Sequence, residues 1–398
     1  MSILLVSSFF PFGSRESWLG PEIEELANTG KILLCPRSKG NELHDKYLLN
    51  SVELVNVKLF SIDIIFNFLQ SFHLLWSYRI LYNIFLQSSS LIDLLKRVAI
   101  IPKALYVANL LMGKNISHVH AYTTTNAASL AWIVAKIVGA KFSFTVHTSS
   151  QLNISFRSTY ISLAVNSEFV RTISDKTNKD LEKFLENKFL KINTIRLGVK
   201  KMKEYYYCNN SILRKKIIVA SVLESYKGVH LILEALKILK DNNVEICCDI
   251  YGDGSMKAKL QQMVIDMNLD SQVLFHGHVK HTMLMSIFAN SAGACLVVSS
   301  DDSTGQEEGI PVTIMEALNN KLFVIATNNG AISEIVVNGS TGLLINQRDV
   351  ESLSIALLKY INMDHNELNL FAAHGSQMIA SHFNISRNSR EFLNACSN

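Results

Sequence analysis

Short runs of β-branched and other apolar residues alternate with helical patterns along the whole chain. This alternation restricts the fold more than any other feature, because strands that are apolar on both faces are typical of parallel sheets covered by helices. A first series of candidate strands covers residues 3–6, 31–35, 52–59, 118–121, 142–147 and 170–173. A second series covers residues 217–223, 246–251, 273–276, 294–299, 323–326 and 342–345. Two such series predict an α/β fold with two doubly wound, Rossmann-like domains.

The segments between the strands support this interpretation. Helical patterns cover residues 127–138, 229–241, 255–267 and 314–319. The periodicity breaks near residues 198–211, so we predict one domain at 1–200, a second at 211–375, and a C-terminal helix at 376–398 that returns to the first. Ligands bind beyond the carboxyl ends of parallel strands, and two such sheets facing each other would place the site in the cleft between them.

Composition excludes several classes of protein. The chain has 398 residues, 48% of them hydrophobic and 18% charged, which is typical of a folded globular protein with two domains. A formal net charge of +4 does not indicate a nucleic-acid partner, which requires a concentrated basic patch. The six cysteines form no Cys-x-x-Cys pair, and the first ten residues lack a secretory leader. These features predict reduced thiols and a cytoplasmic location.

Residues 59–112 are unusually apolar and aromatic. Their longest uncharged stretch, fifteen residues that end before Arg79, is interrupted by polar residues and is shorter than the about 20 residues of a spanning helix. Two interpretations stay open: helices buried against a sheet, or amphipathic helices that contact the surface of a bilayer. In the second interpretation, the basic residues that would face lipid headgroups are Arg79, Lys96, Arg97 and Lys103.

Two glycines, Gly252 and Gly254, lie between a candidate strand and a helical pattern. Such a turn lets the backbone approach a ligand closely, but it also occurs as an ordinary tight turn between strand and helix. The Gly-x-Gly-x-x-Gly pattern of a dinucleotide site does not occur in the sequence. The chain therefore does not resemble a dehydrogenase.

The most informative segment covers residues 308–316. Gly309 and Pro311 predict a loop, and Val312 begins a helix whose free backbone N–H groups suit a diphosphate. Glu308 can hold a sugar hydroxyl at the loop, and Glu316 can accept hydrogen bonds from ribose. Taken alone, the segment is equally well explained as an acidic loop facing solvent.

A further strand-to-helix turn carries Lys227, a candidate counter-charge for phosphate groups. This turn and the segment 308–316 belong to an ordered series of motifs. In the second half the series is Lys227-Gly228, Gly252-Asp-Gly254, His276-Gly277, Glu308-x7-Glu316, Gly330-Ala-Ile-Ser-Glu334 and Asn338-Gly-x2-Gly342. In the first half it is Phe10-Pro-Phe-Gly13, Glu22-Ile-Glu-Glu-Leu26, His118-Val-His120-Ala, Phe144-Thr-Val-His147 and Thr172-Ile-Ser174.

By this series the chain resembles the retaining glycosyltransferases of the GT-B fold, in family 4 (glycosyltransferase group 1). The resemblance implies a donor-binding second domain, an acceptor-side first domain, and a nucleotide-diphospho-sugar donor. It implies that Lys227 contacts the donor phosphates, Glu316 the ribose and Glu308 the sugar. The residues whose backbone would line the donor are Gly13, Gly252, Gly254, Gly309, Pro311, Val312 and Thr313. His147 would face the sugar from the first domain, although a histidine at a strand end can also simply bond to backbone.

His118 and His120 project to the same side of a candidate strand, as two metal ligands would. No carboxylate or cysteine completes a site at usable spacing, and the Asp-x-Asp of a metal-dependent glycosyltransferase is missing. We therefore predict neither a metal nor another cofactor. His120 and Tyr122 are expected on the acceptor side of the cleft, where the apolar region 59–112 favours a lipid-linked saccharide.

The sequence departs from the family pattern at two positions. Val222 replaces the arginine that usually precedes the phosphate-binding lysine, and Lys200 replaces an aspartate near the domain junction. Loss of one cation weakens stabilisation of the departing diphosphate by several kcal/mol, and Lys200 is a candidate substitute for it. The sequence thus predicts a retaining, metal-independent hexosyltransferase of exopolysaccharide or lipopolysaccharide assembly. The alternatives are a noncatalytic nucleotide-sugar-binding partner and, third, a nucleotide-sugar epimerase.

Overall fold

The structure is a computed structural model that describes residues 2–12, 16–38, 51–57, 61–124, 126–186, 191–200, 216–291, 293–301, 303 and 305–397. The chain divides into two compact units. The first comprises Met1–Leu197 and Ile385–Asn398, and the second comprises Gly198–Asn384. Each unit is built around a parallel sheet, as the two series of apolar strands predict.

In the first unit, the described residues form a seven-stranded parallel sheet in the order β3-β2-β1-β4-β5-β6-β7. Its strands are β1 (Ser2–Ser7), β2 (Lys31–Pro36), β3 (Glu53–Leu54), β4 (His118–Ala121), β5 (Lys141–Val146), β6 (Phe169–Thr172) and β7 (Ile192–Thr194). Its helices are α1 (Gly20–Ala27), α2 (Ile62–Ser77), α3 (Ile80–Gln87), α4 (Leu91–Leu111), α5 (Asn126–Val138), α6 (Arg157–Val165), α7 (Asp175–Phe184) and α14 (Ile385–Ser397).

Strand β1 shows why the sequence is apolar without a polar face. Leu4 and Val6 pack into a core with residues of α2 to α6, whereas Ile3 and Leu5 pack into a second core with residues of α1 and α14. All four side chains are at most 1% exposed. A strand buried on both sides gains from apolar residues at every position, which is the pattern seen in the sequence.

The helices α2, α3 and α4 expose a broad apolar surface, here called the α2–α4 surface. Its most exposed members include Ile62, Trp76 and Leu91, each more than 70% exposed. Its other large exposed side chains are Ile65, Phe66, Leu69, Phe72, Tyr78, Tyr82, Phe85, Ile92, Leu95, Val98 and Leu110. Within the described ranges, no helix combines the length and apolar character needed to cross a membrane.

Two of the four basic residues predicted to face lipid do not do so. Arg97 is 1% exposed and Lys103 is 0% exposed. The Lys103 ammonium donates to three backbone carbonyls, those of Pro36, Arg37 and Val57, at 2.7–2.8 Å. It therefore joins α4 to the end of β2 and to the segment that follows β3. The sequence-based assignment of Arg97 and Lys103 to a bilayer surface is wrong.

In the second unit, the described residues form a six-stranded parallel sheet in the order β10-β9-β8-β11-β12-β13. Its strands are β8 (Lys216–Ala220), β9 (Cys247–Tyr251), β10 (Val273–Gly277), β11 (Cys295–Val298), β12 (Phe323–Thr327) and β13 (Leu343–Ile345). Its helices are α8 (Val229–Asp241), α9 (Lys257–Asp266), α10 (His281–Ala289), α11 (Val312–Asn319), α12 (Val350–Asn362) and α13 (His365–His382). The strand order reverses between β8 and β11, which is where doubly wound sheets bind ligands.

Candidate functional site

The switch point between β8 and β11 carries the two most strongly predicted polar residues of the second unit. Lys227 lies in a single 3-10 turn after β8, and Glu308 lies in the loop after β11. The Lys227 ammonium forms an ion pair with Glu308 Oε1, and both side chains are 18% exposed. Because β8 and β11 are neighbours in the sheet, residues 81 positions apart meet at one edge.

The loop after β12 holds Glu308 in place. The Asn329 side chain accepts from the Glu308 amide at 3.3 Å and donates to the Gln306 carbonyl at 3.3 Å. The Ala331 amide donates to the Glu308 carbonyl at 3.2 Å. Asn329 is 2% exposed, so its hydrogen bonds to the loop of Glu308 come from a buried side chain. Sequence reasoning missed Asn329, although the Asn-Gly pair after a buried strand is a turn signal.

Gly330 allows this close approach. Its φ is +58°, and a Cβ built there would lie 1.8 Å from the Glu308 carbonyl oxygen. A residue other than glycine would be strained at this φ and would also displace the Glu308 backbone.

Helix α11 begins beside Glu308. Pro311 is its N-cap residue with extended backbone, and the Pro311 carbonyl accepts from the amides of Ile314 and Met315. The amides of Val312 and Thr313 therefore precede the first bonded amide of the helix. Gly309 lies in the preceding loop, and the chain turns into the helix at Pro311. This arrangement orients backbone N–H groups and the positive end of the helix dipole toward one point.

Glu316 lies one turn into α11 and is 6% exposed. Its Oε1 is 2.5 Å from His281 Nε2, at the first residue of α10. The hydrogen bond and the charge of Glu316 raise the pKa of His281, against the opposing effect of burial. Sequence reasoning did not identify His281, because nothing in the local pattern relates it to a carboxylate 35 residues away.

Gly252 and Gly254 pack against protein backbone. A Cβ at Gly252 would lie 1.8 Å from the Ser221 carbonyl oxygen, and one at Gly254 would lie 2.4 Å from the Leu223 carbonyl oxygen. The Leu223 amide also donates to the Asp253 carbonyl at 3.0 Å. The two glycines thus join the turns after β8 and β9, a structural requirement that the sequence alone did not separate from ligand contact.

The two departures from the family pattern differ in position. Val222 is 52% exposed in the turn after β8, so an apolar side chain stands where the family has an arginine. The Lys200 carbonyl accepts from the Asn319 side chain at 2.7 Å, at the last residue of α11. An eight-residue helix is about 12 Å long, so the Lys200 backbone lies at the end of α11 opposite the amides of Val312 and Thr313. This backbone contact does not place the Lys200 ammonium beside the diphosphate, so the replacement of the missing cation by Lys200 stays a prediction.

In the first unit, His147 lies directly after β5 and is 8% exposed. Its Nε2 donates to the Tyr122 carbonyl at 2.6 Å, and its ring packs edge-on against Trp18. Since a carbonyl only accepts, the proton resides on Nε2 and Nδ1 is the unprotonated nitrogen. Burial lowers the pKa of His147 to about 4, so the imidazole is neutral near pH 7.

His120 and Tyr122 were expected on the acceptor side, but both side chains are 0% exposed. His120 Nδ1 pairs with Ser143 Oγ at 2.7 Å and Nε2 pairs with Thr145 Oγ1 at 2.8 Å. The His120 ring also packs against Phe392 of α14. Both ring nitrogens are satisfied inside the core of the first unit, so the assignment of these side chains to acceptor binding is wrong.

Gly13 lies outside the described residues. The structure instead identifies Glu16 as the group that organises the start of this loop. The Glu16 carboxylate accepts from the amides of Ser8, Phe9 and Phe10 at 2.8–3.3 Å, and Glu16 is 8% exposed. Among the residues that the structure covers, no three His, Cys, Asp or Glu side chains lie together as metal ligands would.

Comparison with known proteins identifies the second unit. Residues 212–375 match the family "Glycosyl transferases group 1". The putative colanic acid biosynthesis glycosyltransferase WcaL of Salmonella typhimurium is 27% identical over 169 residues, which is 42% of this chain and 41% of WcaL. The amylovoran biosynthesis glycosyltransferase AmsK of Erwinia amylovora is 28% identical over 170 residues, 42% of each chain. The matched region thus spans about two fifths of these relatives.

Solved structures resemble the whole chain. A glycosyltransferase from Rickettsia africae superposes with a TM-score of 0.73 at 17% identity, covering 100% of this chain and 97% of the other. Anabaena Alr3699/HepE, solved in complex with UDP, gives a TM-score of 0.71 at 15% identity and covers 100% of both chains. At such identities the similarity shows the fold. Residues 212–375 are therefore similar to the glycosyl transferases group 1 family, and the two parallel α/β units of the chain have the GT-B fold.

Proposed function

We propose that this protein is a retaining glycosyltransferase that moves a sugar from a nucleotide-diphospho-sugar to an acceptor hydroxyl in surface polysaccharide biosynthesis. The observation that carries the proposal is the Lys227–Glu308 pair beside the N-terminus of α11, with Glu316 one turn into that helix. The names of WcaL and AmsK, which refer to colanic acid and amylovoran biosynthesis, support the assignment to polysaccharide assembly. The UDP and UDP-glucose bound to HepE support a nucleotide-sugar donor.

When the donor binds, the Lys227 ammonium would exchange its ion pair with Glu308 for one with the diphosphate. Lys227 and Glu308 neutralise each other in the structure, and their partial burial limits screening by solvent. A diphosphate bound at the α11 amides would draw the Lys227 ammonium toward its own charge. Glu308 would then accept hydrogen bonds from sugar hydroxyls, and Glu316 from the ribose. The ion pair therefore holds both side chains in position until the donor arrives.

Retention would follow if the acceptor attacks from the face that the diphosphate leaves. The departing phosphate can take the acceptor proton, so a separate general base is not required. His147 fits a supporting role in this step, because its lowered pKa of about 4 keeps it neutral and unable to act as a cationic acid near pH 7. Its unprotonated Nδ1 can accept a hydrogen bond from a sugar hydroxyl.

We also propose that transfer is independent of metal ions. Lys227 and the amides of Val312 and Thr313 would stabilise the leaving diphosphate, as preorganised donors do in other sites. Activity measured with EDTA is expected to equal activity measured with Mg²⁺ or Mn²⁺. A loss of turnover in EDTA that is restored by one of these ions would contradict this part of the proposal.

The acceptor is proposed to be lipid-linked and the protein peripheral on the inner face of the cell membrane. The α2–α4 surface exposes at least a dozen large apolar side chains on adjacent helices. Single exposed apolar residues are common on soluble proteins, but a group of this size is typical of a surface that binds a partner or a membrane. Flotation with vesicles of phosphatidylcholine and phosphatidylglycerol should recover the protein. Trp76→Ser with Leu91→Ser should weaken binding, whereas Ile355→Ser, which alters an exposed apolar side chain of α12, should not. Absence of flotation would count against the membrane contact.

The function is tested by donor turnover. A thermal-shift screen against nucleotide sugars selects the donor, because a ligand that binds only the folded state raises its stability. With that donor, Lys227→Met and Glu308→Gln are each expected to reduce turnover at least a hundredfold. Lys237→Met removes a comparable but solvent-exposed ion pair with Asp241 on α8 and should leave turnover unchanged. NMR of the product should show the anomeric configuration of the donor.

The second candidate is a noncatalytic nucleotide-sugar-binding partner, favoured by the exposed Val222 in place of an arginine. It predicts donor binding without transfer. Wild-type turnover that both Lys227→Met and Glu308→Gln abolish would exclude it.

A further inference from the structure

His281 has a place in the donor site that no motif assigns. It is the first residue of α10, and its Nε2 lies 2.5 Å from Oε1 of Glu316 on the neighbouring helix α11. The Glu316 side chain is 7% exposed, whereas the His281 side chain is 49% exposed. The imidazole therefore covers one carboxylate oxygen and itself remains in contact with solvent.

We propose that His281 is a positioning residue of the nucleotide site, which holds the Glu316 carboxylate so that its second oxygen receives the ribose hydroxyls. This inference rests on the proposed function, in which Glu316 binds ribose. Two adjacent ribose hydroxyls need an acceptor that is ionised and fixed in orientation. The hydrogen bond from His281 fixes the rotation of the carboxylate and leaves Oε2 for the ligand.

The chemistry of a buried carboxylate supports this role. The imidazole N–H directed at Oε1 gives this oxygen a hydrogen-bond donor at a side chain that has little contact with water. The hydrogen bond to Glu316 and the charge of Glu316 raise the pKa of His281, against the opposing effect of burial.

In the part of the chain that is described, Lys216 of β8 lines a pocket with Thr282 and Met283 of α10, and it forms an ion pair with Asp249. The loop before α10 carries His278 and Lys280. Strands β11 and β12 and the rest of α11 carry none, and α13, which packs on α11, carries the four groups His365, Glu367, His374 and His382. The charge that contributes to the pKa of His281 is that of Glu316. Nucleotide affinity should therefore fall as the pH rises through the raised pKa of His281, because the site loses one positive charge.

The test compares UDP with 2′,3′-dideoxy-UDP, which lacks the ribose hydroxyls, by calorimetric titration at constant pH. Wild-type protein should prefer UDP at least tenfold. His281→Ala should weaken UDP binding about tenfold and remove the preference, while binding of the dideoxy compound stays within about twofold. His281→Gln, which retains an N–H donor but does not titrate, should keep the preference for UDP. It should lose the fall in UDP affinity with rising pH that wild-type protein shows when the titrations are repeated at several fixed pH values. GDP and its dideoxy form replace UDP if UDP does not bind.

The matched control is His365→Ala, because His365 is the exposed first residue of α13 in the same unit. It should change neither affinity nor preference. If His281→Ala retains the wild-type preference for UDP, the positioning role is refuted while donor binding stands. If wild-type protein binds none of these nucleotides, the proposed function itself is refuted. Circular dichroism establishes that each variant is folded before titration.

Discussion

The contact between Gly330 and the Glu308 carbonyl leads to a prediction with two separable parts. In Gly330→Ala, the new methyl group would lie 1.8 Å from the carbonyl oxygen, where ordinary contacts begin near 3.4 Å. The loop must therefore move by roughly 1.5 Å. That movement breaks the hydrogen bonds that Ala331 and Asn329 make with the Glu308 backbone, each worth about 1 kcal/mol. The left-handed φ of +58° adds about 1–2 kcal/mol for an alanine.

The total is about 3–4 kcal/mol, and Gly339→Ala separates its two parts. Gly339 also has a left-handed φ, +76°, but a Cβ there meets no atom within 4 Å. Gly339→Ala should therefore show the backbone strain alone, about 1–2 kcal/mol. Urea unfolding of both variants measures the difference as a free energy of unfolding.

Gly330→Ala should also reduce turnover. Glu308 is carried by the loop that moves, and a displacement of about 1 Å at a catalytic group can reduce the rate about a hundredfold. Gly330→Ala is therefore expected to lose most of its turnover at temperatures where it remains folded, whereas Gly339→Ala retains it. Equal unfolding free energies and equal turnover in the two variants would refute the proposed support of Glu308 by Gly330.

Three further predictions concern charge and burial. Val222→Arg places a cation at a half-exposed position in the turn after β8 and should tighten donor binding about tenfold, measured by calorimetry; unchanged affinity would mean that this turn does not reach the diphosphate. His118 and His147 have pKa values lowered by burial to about 4, below the ordinary value of about 6.5. The unfolded chain therefore takes up protons first as the pH falls, and each residue should reduce the free energy of unfolding by about 2 kcal/mol between pH 7 and pH 5. His118→Gln should flatten this dependence in urea titrations, and an unchanged slope would contradict the assignment. Lys103→Met leaves three carbonyls without their donor, two of them in buried and one in a partly buried hydrogen bond, and should cost about 3 kcal/mol or more. Lys114→Met, at an exposed ion pair, should cost less than about 1 kcal/mol.

Sequence patterns were most informative where burial on both faces of a strand makes consecutive residues apolar. Continuous apolar runs predicted two parallel α/β domains, and both are present because every central strand is covered on two sides. Prediction was poorer at the edges of the first sheet. The candidate strand 52–59 is reduced to Glu53–Leu54 within its described part, and β7 (Ile192–Thr194) was missed. Edge strands are short and half-exposed, so their residues carry a weaker apolar signal.

Local motifs also brought Lys227, Glu308 and the start of α11 into one hypothesis, since each follows a strand that ends at the same edge of a sheet. The structure adds that β8 and β11 are neighbours, which is why the ion pair forms. The sequence allowed two explanations for a glycine near the end of a strand, such as Gly252: close approach to a ligand, or a tight turn. The Ser221 carbonyl lies where a Cβ of Gly252 would be, so packing against protein backbone requires this glycine.

The sequence by itself therefore determined the fold class, the family that residues 212–375 resemble and the residue types available for a proposed donor site. Only the tertiary structure showed which polar groups form hydrogen bonds or ion pairs with one another. Helix α14 covers the core that holds His120, Lys103 binds strand-end carbonyls, and His281 meets Glu316 across two helices. Periodicity reports which face of a strand or helix is apolar, because that depends on neighbours along the chain. Pairing of polar groups depends on strand order and helix packing, which bring together residues that are distant in sequence.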